Sequence, residues 1–128
     1  MKQLLNRAQL LIISLLFSFI GSSQPGPFTI GFGVGNAPTT YDGCGNSVLL
    51  VVPGFPTNFL NGPFTYTWQS KEQTSNTWTN LLVTQNNSAT TGTLTVPMHY
   101  RAIVQDVNNQ SVTSNTISYN FLTIPTPP

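Results

Sequence analysis

The chain has 128 residues, 39% of them hydrophobic and 11% aromatic, yet only 5% are charged, where a soluble domain ordinarily carries about 25%. Four basic and three acidic residues, one His and one Cys exclude a basic nucleic-acid surface, a polyacidic calcium cage and a cysteine-based zinc site. The length suits one folded domain, and the shortage of ionisable groups argues against acid–base catalysis.

Residues 1–23 have the three parts of a secretory signal. Lys2 and Arg7 give the positive start, and Leu10 to Ile20 is an uncharged run of eleven residues. Gly21-Ser22-Ser23 supplies the small residues of a cleavage site. As a helix the run reaches about 16 Å, short of the roughly 30 Å hydrocarbon core of a membrane; an uncleaved anchor is the alternative. Cleavage after Ser23 makes Gln24 the new N-terminus and leaves no membrane span. Lys71 and Arg101 then face Asp42, Glu72 and Asp106, so the mature net charge is −1. Thr, Asn, Ser and Gln hydrate the mature chain in place of charge.

The remaining chain has no sustained helical periodicity and is punctuated by ten prolines and nine glycines. Short apolar or alternating runs between turn residues predict strands. The first is Phe28 to Val34, whose GFGVG run reads as a flat or bulged edge, since no helix follows to aim amides at a phosphate. A Gly- and Asn-rich loop through Asn46 follows, then Ser47 to Val52, stopped by Pro53-Gly54. Phe64 to Gln69 alternates, with Phe64, Tyr66 and Trp68 on one face. Thr77 to Val83 and Thr91 to Val96 are the next expected strands. Tyr100, Ala102 and Val104 share a face of another, Asn108-Asn109 suits a hairpin turn, and Ser111 to Ile124 is the last strand. About seven strands at this spacing predict an all-β antiparallel sandwich.

Four groups of residues carry a family resemblance. They are Gly43-Cys44-Gly45-Asn46-Ser47-Val48, Tyr66-Thr67-Trp68-Gln69-Ser70, Trp78-Thr79-Asn80-Leu81, and His99-Tyr100-Arg101-Ala102-Ile103-Val104 with Ser114-Asn115-Thr116-Ile117. In this order they resemble an immunoglobulin-like domain. More narrowly, they are similar to the Ig-like or PKD-like modules of secreted surface proteins from Bacteroidetes-type bacteria. The resemblance covers roughly residues 40–122; with the signal peptide over 1–23 and a Pro-rich tail or linker over 123–128, where prolines remove strand donors, it implies one Ig-like β-sandwich over 24–122. It places Trp68, Tyr100 and Ala102 in the core. Tyr100 is then either the corner tyrosine of such folds, its hydroxyl bonded to nearby backbone, or an ordinary half-buried aromatic. Related modules often pair a Cys before the second strand with one near the last hairpin. Here Cys44 stands alone, and is either unused or an intermolecular thiol.

Little else carries chemistry. His99 is the sole imidazole and is expected to face solvent, and Asp42, Glu72 and Asp106 fall in separate turns. No catalytic group, cofactor or metal is implied. Asn86-Asn87-Ser88 and Asn109-Gln110-Ser111 are acceptor sequons only if the source glycosylates. The expected function is an exported, non-enzymatic module, secreted, periplasmic or at the cell surface, for adhesion, surface structure or protein–protein contact. Its partner is a protein or a second copy joined through an edge strand, because few charges guard the edges. The alternative is a carbohydrate-binding module using Trp78, Phe55 and Phe59 as exposed aromatic platforms.

Overall fold

A computed structural model of the chain describes residues 28–54, 62–125 and 127. The expected signal segment, Phe55 and Phe59 lie outside them. The described residues form nine strands: β1 (Thr29–Phe32), β2 (Thr40–Gly43), β3 (Leu49–Gly54), β4 (Thr65–Glu72), β5 (Thr79–Thr84), β6 (Ser88–Thr90), β7 (Met98–Gln105), β8 (Ser111–Thr113) and β9 (Ile117–Phe121). One sheet has the order β1-β3-β6; the other runs β2-β9-β7-β4-β5, with β8 also on β7. The expected all-β sandwich is what the chain forms. Nine strands become seven if β1 with β2, and β8 with β9, are each counted as one broken strand.

Alternation explains the core. Tyr66, Trp68, Tyr100, Ala102, Val104, Ile117 and Tyr119 of the large sheet meet Phe28, Ile30, Phe32, Leu50, Val52 and Ala89 of the small one, all buried. Every second residue of β4 and β7 faces inward, so a one-residue slip would expose the whole set. At one end an aromatic chain joins the two sheets. The Phe32 ring stands edge-on to Tyr100 at 6.4 Å and tilted against Tyr41 at 5.5 Å, and Tyr41 stacks on Tyr119 at 6.1 Å. The Trp68 indole N–H has no hydrogen-bond partner among the described residues, a cost accepted for the ring's buried volume.

The first strand breaks because the chain changes sheets. The turn after β1 is closed by Val34 N–H to Phe32 O (2.8 Å), Ala37 N–H to Val34 O (3.1 Å) and Phe32 N–H to Pro38 O (2.9 Å). Gly35 and Ala37 both take positive φ there, 53° and 51°, a region glycine enters freely and alanine does not. The chain then joins the large sheet as β2, parallel to β9. The sequence predicts only loop here. Four residues are too few for a clear alternation signal.

Three further expectations need correction. Pro53-Gly54 does not stop its strand: β3 runs through both to pair Gly54 with Thr29. It can do so because β6 ends opposite Val51, so Pro53 lies where no second ladder needs its donor. Thr91 to Val96 is not a strand. The pairing is made by Ser88–Thr90 instead, and the following segment crosses the sandwich end with Leu94 plugged into the core. The last strand is broken at 114–116. There Ser114 Oγ accepts from Ala102 N–H at 2.9 Å and the Asn115 amide turns toward the other sheet. Residues 122–125 carry no regular structure, and Leu122 and Ile124 are exposed.

Candidate functional site

The outward residues of the large sheet form its most organised surface. On β4, Thr65, Thr67, Gln69 and Lys71 stand opposite Gln105, Ile103, Arg101 and His99 of β7. Ser118 of β9 lies beside His99, Asp42 of β2 beside Asn120, and Asn80 of β5 beside Gln69. Side chains join across the strands. Arg101 Nε donates to Gln69 Oε1 (2.8 Å), and Gln69 Nε2 donates to Asn80 Oδ1 (2.9 Å). His99 Nδ1 and Ser118 Oγ are 3.0 Å apart, and Asn120 Nδ2 donates to Asp42 Oδ1 at 2.8 Å. Gln73 Nε2, beyond the end of β4, reaches Tyr119 O at 3.1 Å and Asn120 Oδ1 at 3.3 Å.

Trp78 folds over this face just before β5. The Arg101 guanidinium carbon lies 4.3 Å from the ring centre and Lys71 Nζ 5.2 Å. Both cations of the 24–128 segment are therefore committed to one indole. Each such contact contributes about 0.5–1 kcal/mol at an exposed site. Arg101 is thereby held from two sides, by the ring and by Gln69. Next to Trp78 a cleft of about 450 Å³ is lined by Lys71, Glu72, Ser75, Thr77, Thr79 and Met98.

The other sequence candidates do not gather there. Cys44 is exposed in the turn after β2. Trp68, Tyr100 and Ala102 are buried, at 0%, 1% and 0% exposure. Burial, helped by the neighbouring Tyr119 hydroxyl, pushes the Tyr100 hydroxyl up to about 12, against a smaller opposing effect of its hydrogen bond with the Thr91 side chain. His99 lies on the outer face, half-buried beside Ser118. Asp42, Glu72 and Asp106 sit on β2, at the end of β4 and after β7. Among the described residues no three His, Cys, Asp or Glu cluster to hold a metal ion. No described helix is long and apolar enough to cross a membrane. Sequence reasoning missed the three clusters on this face: Arg101–Gln69–Asn80, Gln73–Asn120–Asp42 and Ser118–His99. Period two signals their face, but only strand order tells which of them touch.

The chain matches no protein-family model, and no curated protein matches it. Among solved structures it is similar to the solution structure of the fibronectin type-III domain of human fibronectin type III domain containing protein 3. The TM-score is 0.54 at 14% identity, and the match covers 79% of this chain and 91% of that one. Together with the two facing sheets, antiparallel except for the β2–β9 pair, this gives the chain the fold of an immunoglobulin-like, fibronectin type-III-like β-sandwich.

Proposed function

We propose that the chain is an exported, non-enzymatic contact module, serving adhesion, surface structure or protein–protein contact at the cell surface or in the secreted fraction. The observation that carries this reading is the preorganised outer face of the large sheet. An aromatic ring is fixed by two cations and flanked by amides whose rotamers are set by hydrogen bonds. Such a surface loses little side-chain entropy when a partner lands on it, and Trp and Arg are the residue types that anchor protein contacts. The signal-like 1–23 segment and the resemblance to Ig-like or PKD-like surface modules of Bacteroidetes-type bacteria support export. Fold alone does not fix function, so the face carries the weight.

Lys71 is the only lysine of the 24–128 segment, and it lies on this face. An amine-reactive cross-linker applied to intact cells therefore reports what covers it. Recovery of the chain from the surface or medium, beginning at Gln24, with Lys71 joined to a polypeptide is the expected result. A chain that stays in the cytosol, or an exported chain whose Lys71 joins no polypeptide, would overturn the reading. Carbohydrate binding is the second reading, favoured by the half-exposed Trp78 beside Gln69 and Asn80. A sugar stacking on the cation-covered side must first displace Arg101. Retardation in polysaccharide affinity gels, lost in Trp78→Ala, would favour this second reading over the first.

A further inference from the structure

We infer that β5 is the edge through which two copies of this chain join, antiparallel, into one continuous sheet. The inference rests on the contact-module reading and narrows it to a second copy. Among the described residues each other sheet edge is guarded, β8 by being only three residues long. The outer backbone of β1 is taken up by its own chain, Phe32 N–H bonding Pro38 O and Asn115 bonding both polar groups of Ile30. On the small sheet's other side β6 is three residues long. At the far end of the large sheet β2 has four residues and carries Asp42. Short edges and edge charges are the usual protections against strand addition.

β5 has neither, and its one irregularity is Leu81, an extra residue between Asn80 opposite Gln69 and Leu82 opposite Trp68. Its six residues, Thr79-Asn80-Leu81-Leu82-Val83-Thr84, hold no charge and no proline. Among the described residues it pairs with β4 alone, and its first five residues are all exposed. The large sheet is wider than the small one, so β5 overhangs the sandwich. Leu82 lies opposite core Trp68 yet is 43% exposed, and Val83 on the outer face is 57% exposed. A free row of N–H and C=O groups flanked by apolar side chains fits an extended, neutral strand, and this chain supplies one.

The sequence is self-complementary when turned on itself. Because Leu81 is an extra residue, Thr79, Leu82 and Thr84 share one face and Asn80 and Val83 the other, so pairing Thr79 with Thr84 of the second copy places Asn80 opposite Val83 and Leu81 opposite Leu82, twice each by symmetry. Thr–Thr ends, an apolar centre and no opposed charges result. The nearest charged side chains, on β4, stand at least three strand spacings from their counterparts, about 14 Å. That exceeds the screening length of roughly 8 Å at physiological salt. The six residues of β5 are well below the roughly 20–30 residues a side of a standard interface. The dimer is therefore weak and concentration-dependent.

The test uses the full chain as the cell processes it, in sedimentation equilibrium up to about 1 mM, with hydrogen exchange at low and high concentration. Wild type should rise from monomer toward dimer while the amides of residues 79–84 become protected. Asn80→Lys with Val83→Lys sets like charges directly opposite and should weaken the dimer about tenfold. Asn80→Glu with Val83→Lys sets opposite charges at the same places and should restore it. The two pairs change the same positions, so a difference between them reports pairing and not folding. A wild type that stays monomeric, β5 amides indifferent to concentration, or equal behaviour of the two pairs would each overturn the inference. A monomer that still cross-links through Lys71 removes this inference alone and leaves the contact-module reading standing.

Discussion

Asn115 is the residue on which the joining of the two sheets can be tested most directly. Its Oδ1 accepts the Ile30 N–H at 2.7 Å and its Nδ2 donates to Ile30 O at 3.2 Å. The side-chain amide thus acts as a one-residue strand on the edge of β1, where the pairing with β3 is irregular between Thr29 and Gly31. Ile30 itself is 1% exposed, so water reaches its backbone poorly. Asn115→Ala strands one donor and one acceptor. At about 1–3 kcal/mol for each buried unsatisfied group, with a discount because the edge is only part-buried, the loss comes to about 2–4 kcal/mol. For a domain of this size that lowers Tm by roughly 10–25 °C. Asn115→Asp should also destabilise, because a carboxylate keeps the first bond but opposes the Ile30 carbonyl. Thermal unfolding gives the magnitude, and hydrogen exchange gives the place. The Ile30 amide should exchange fast in Asn115→Ala under native conditions while the β4 and β7 amides stay slow. If Tm moves by less than about 2 °C, the size expected of a neutral surface change, or if Ile30 stays protected, the amide does not join the sheets.

Other parts of the fold give independent outcomes. A Cβ on Gly43 would fall 2.7 Å from the Tyr119 hydroxyl, and that hydroxyl accepts the Gly45 N–H at 2.9 Å. The Tyr119 Cε2 would lie 2.8 Å away as well, so Gly43→Ala should destabilise by about 1–3 kcal/mol in wild type and by nearly as much in a Tyr119→Phe background; an unchanged midpoint in urea denaturation would contradict the close approach. Asp106 Oδ1 accepts the N–H groups of Asn108 and Gln110, each at 2.8 Å, from a side chain 5% exposed. Asp106→Ala should cost about 2–3 kcal/mol in urea denaturation and Asp106→Asn much less, since an amide oxygen fills the same place. Tyr100 has its hydroxyl pushed up to about 12 in the folded chain from an ordinary 10.0. The folded state therefore holds that proton longer than the unfolded state does. The stabilisation is full below pH 10 and is lost as pH rises through about 12. Tyr100→Phe should flatten stability against pH across that window, and an unchanged slope would contradict the burial argument.

The strands most legible in the sequence were those with one face in the core and one in water. β4 and β7 alternate over eight residues each, and their register follows from keeping Trp68 and Ala102 on one side. The two ends of the fold were illegible for a different reason. β2 and the broken last strand depend on a change of sheet and on side chains replacing backbone. Ser114 and Asn115 look like ordinary turn residues until Ala102 and Ile30 are brought beside them, twelve and 85 positions away. Thr91 to Val96 alternates as a strand does, but that pattern serves a crossover in which only Leu94 is buried deeply alongside Thr91. For the outer face, Gln69 and Arg101 could be assigned to one side from period two. Their bond to each other needed the β4–β7 register, and their relation to Trp78 needed the hairpin.

The low charge ties these observations together. A sheet surface usually gains lateral order and edge protection from the same resource, charged side chains. Here the first task is done by amides: Gln69, Asn80, Gln73 and Asn120 bond across strands without like-charge repulsion. The second task is done locally, by Asn115 and Pro38 capping β1 and by the shortness of β2 and β6. Neither device extends to β5. Adding one lysine to its exposed face would be structurally cheap, since Val83 is 57% exposed and such changes usually move stability by less than about 0.5 kcal/mol. An unguarded strand beside a carefully ordered face is therefore not forced by folding, and its openness is the feature that calls for a partner.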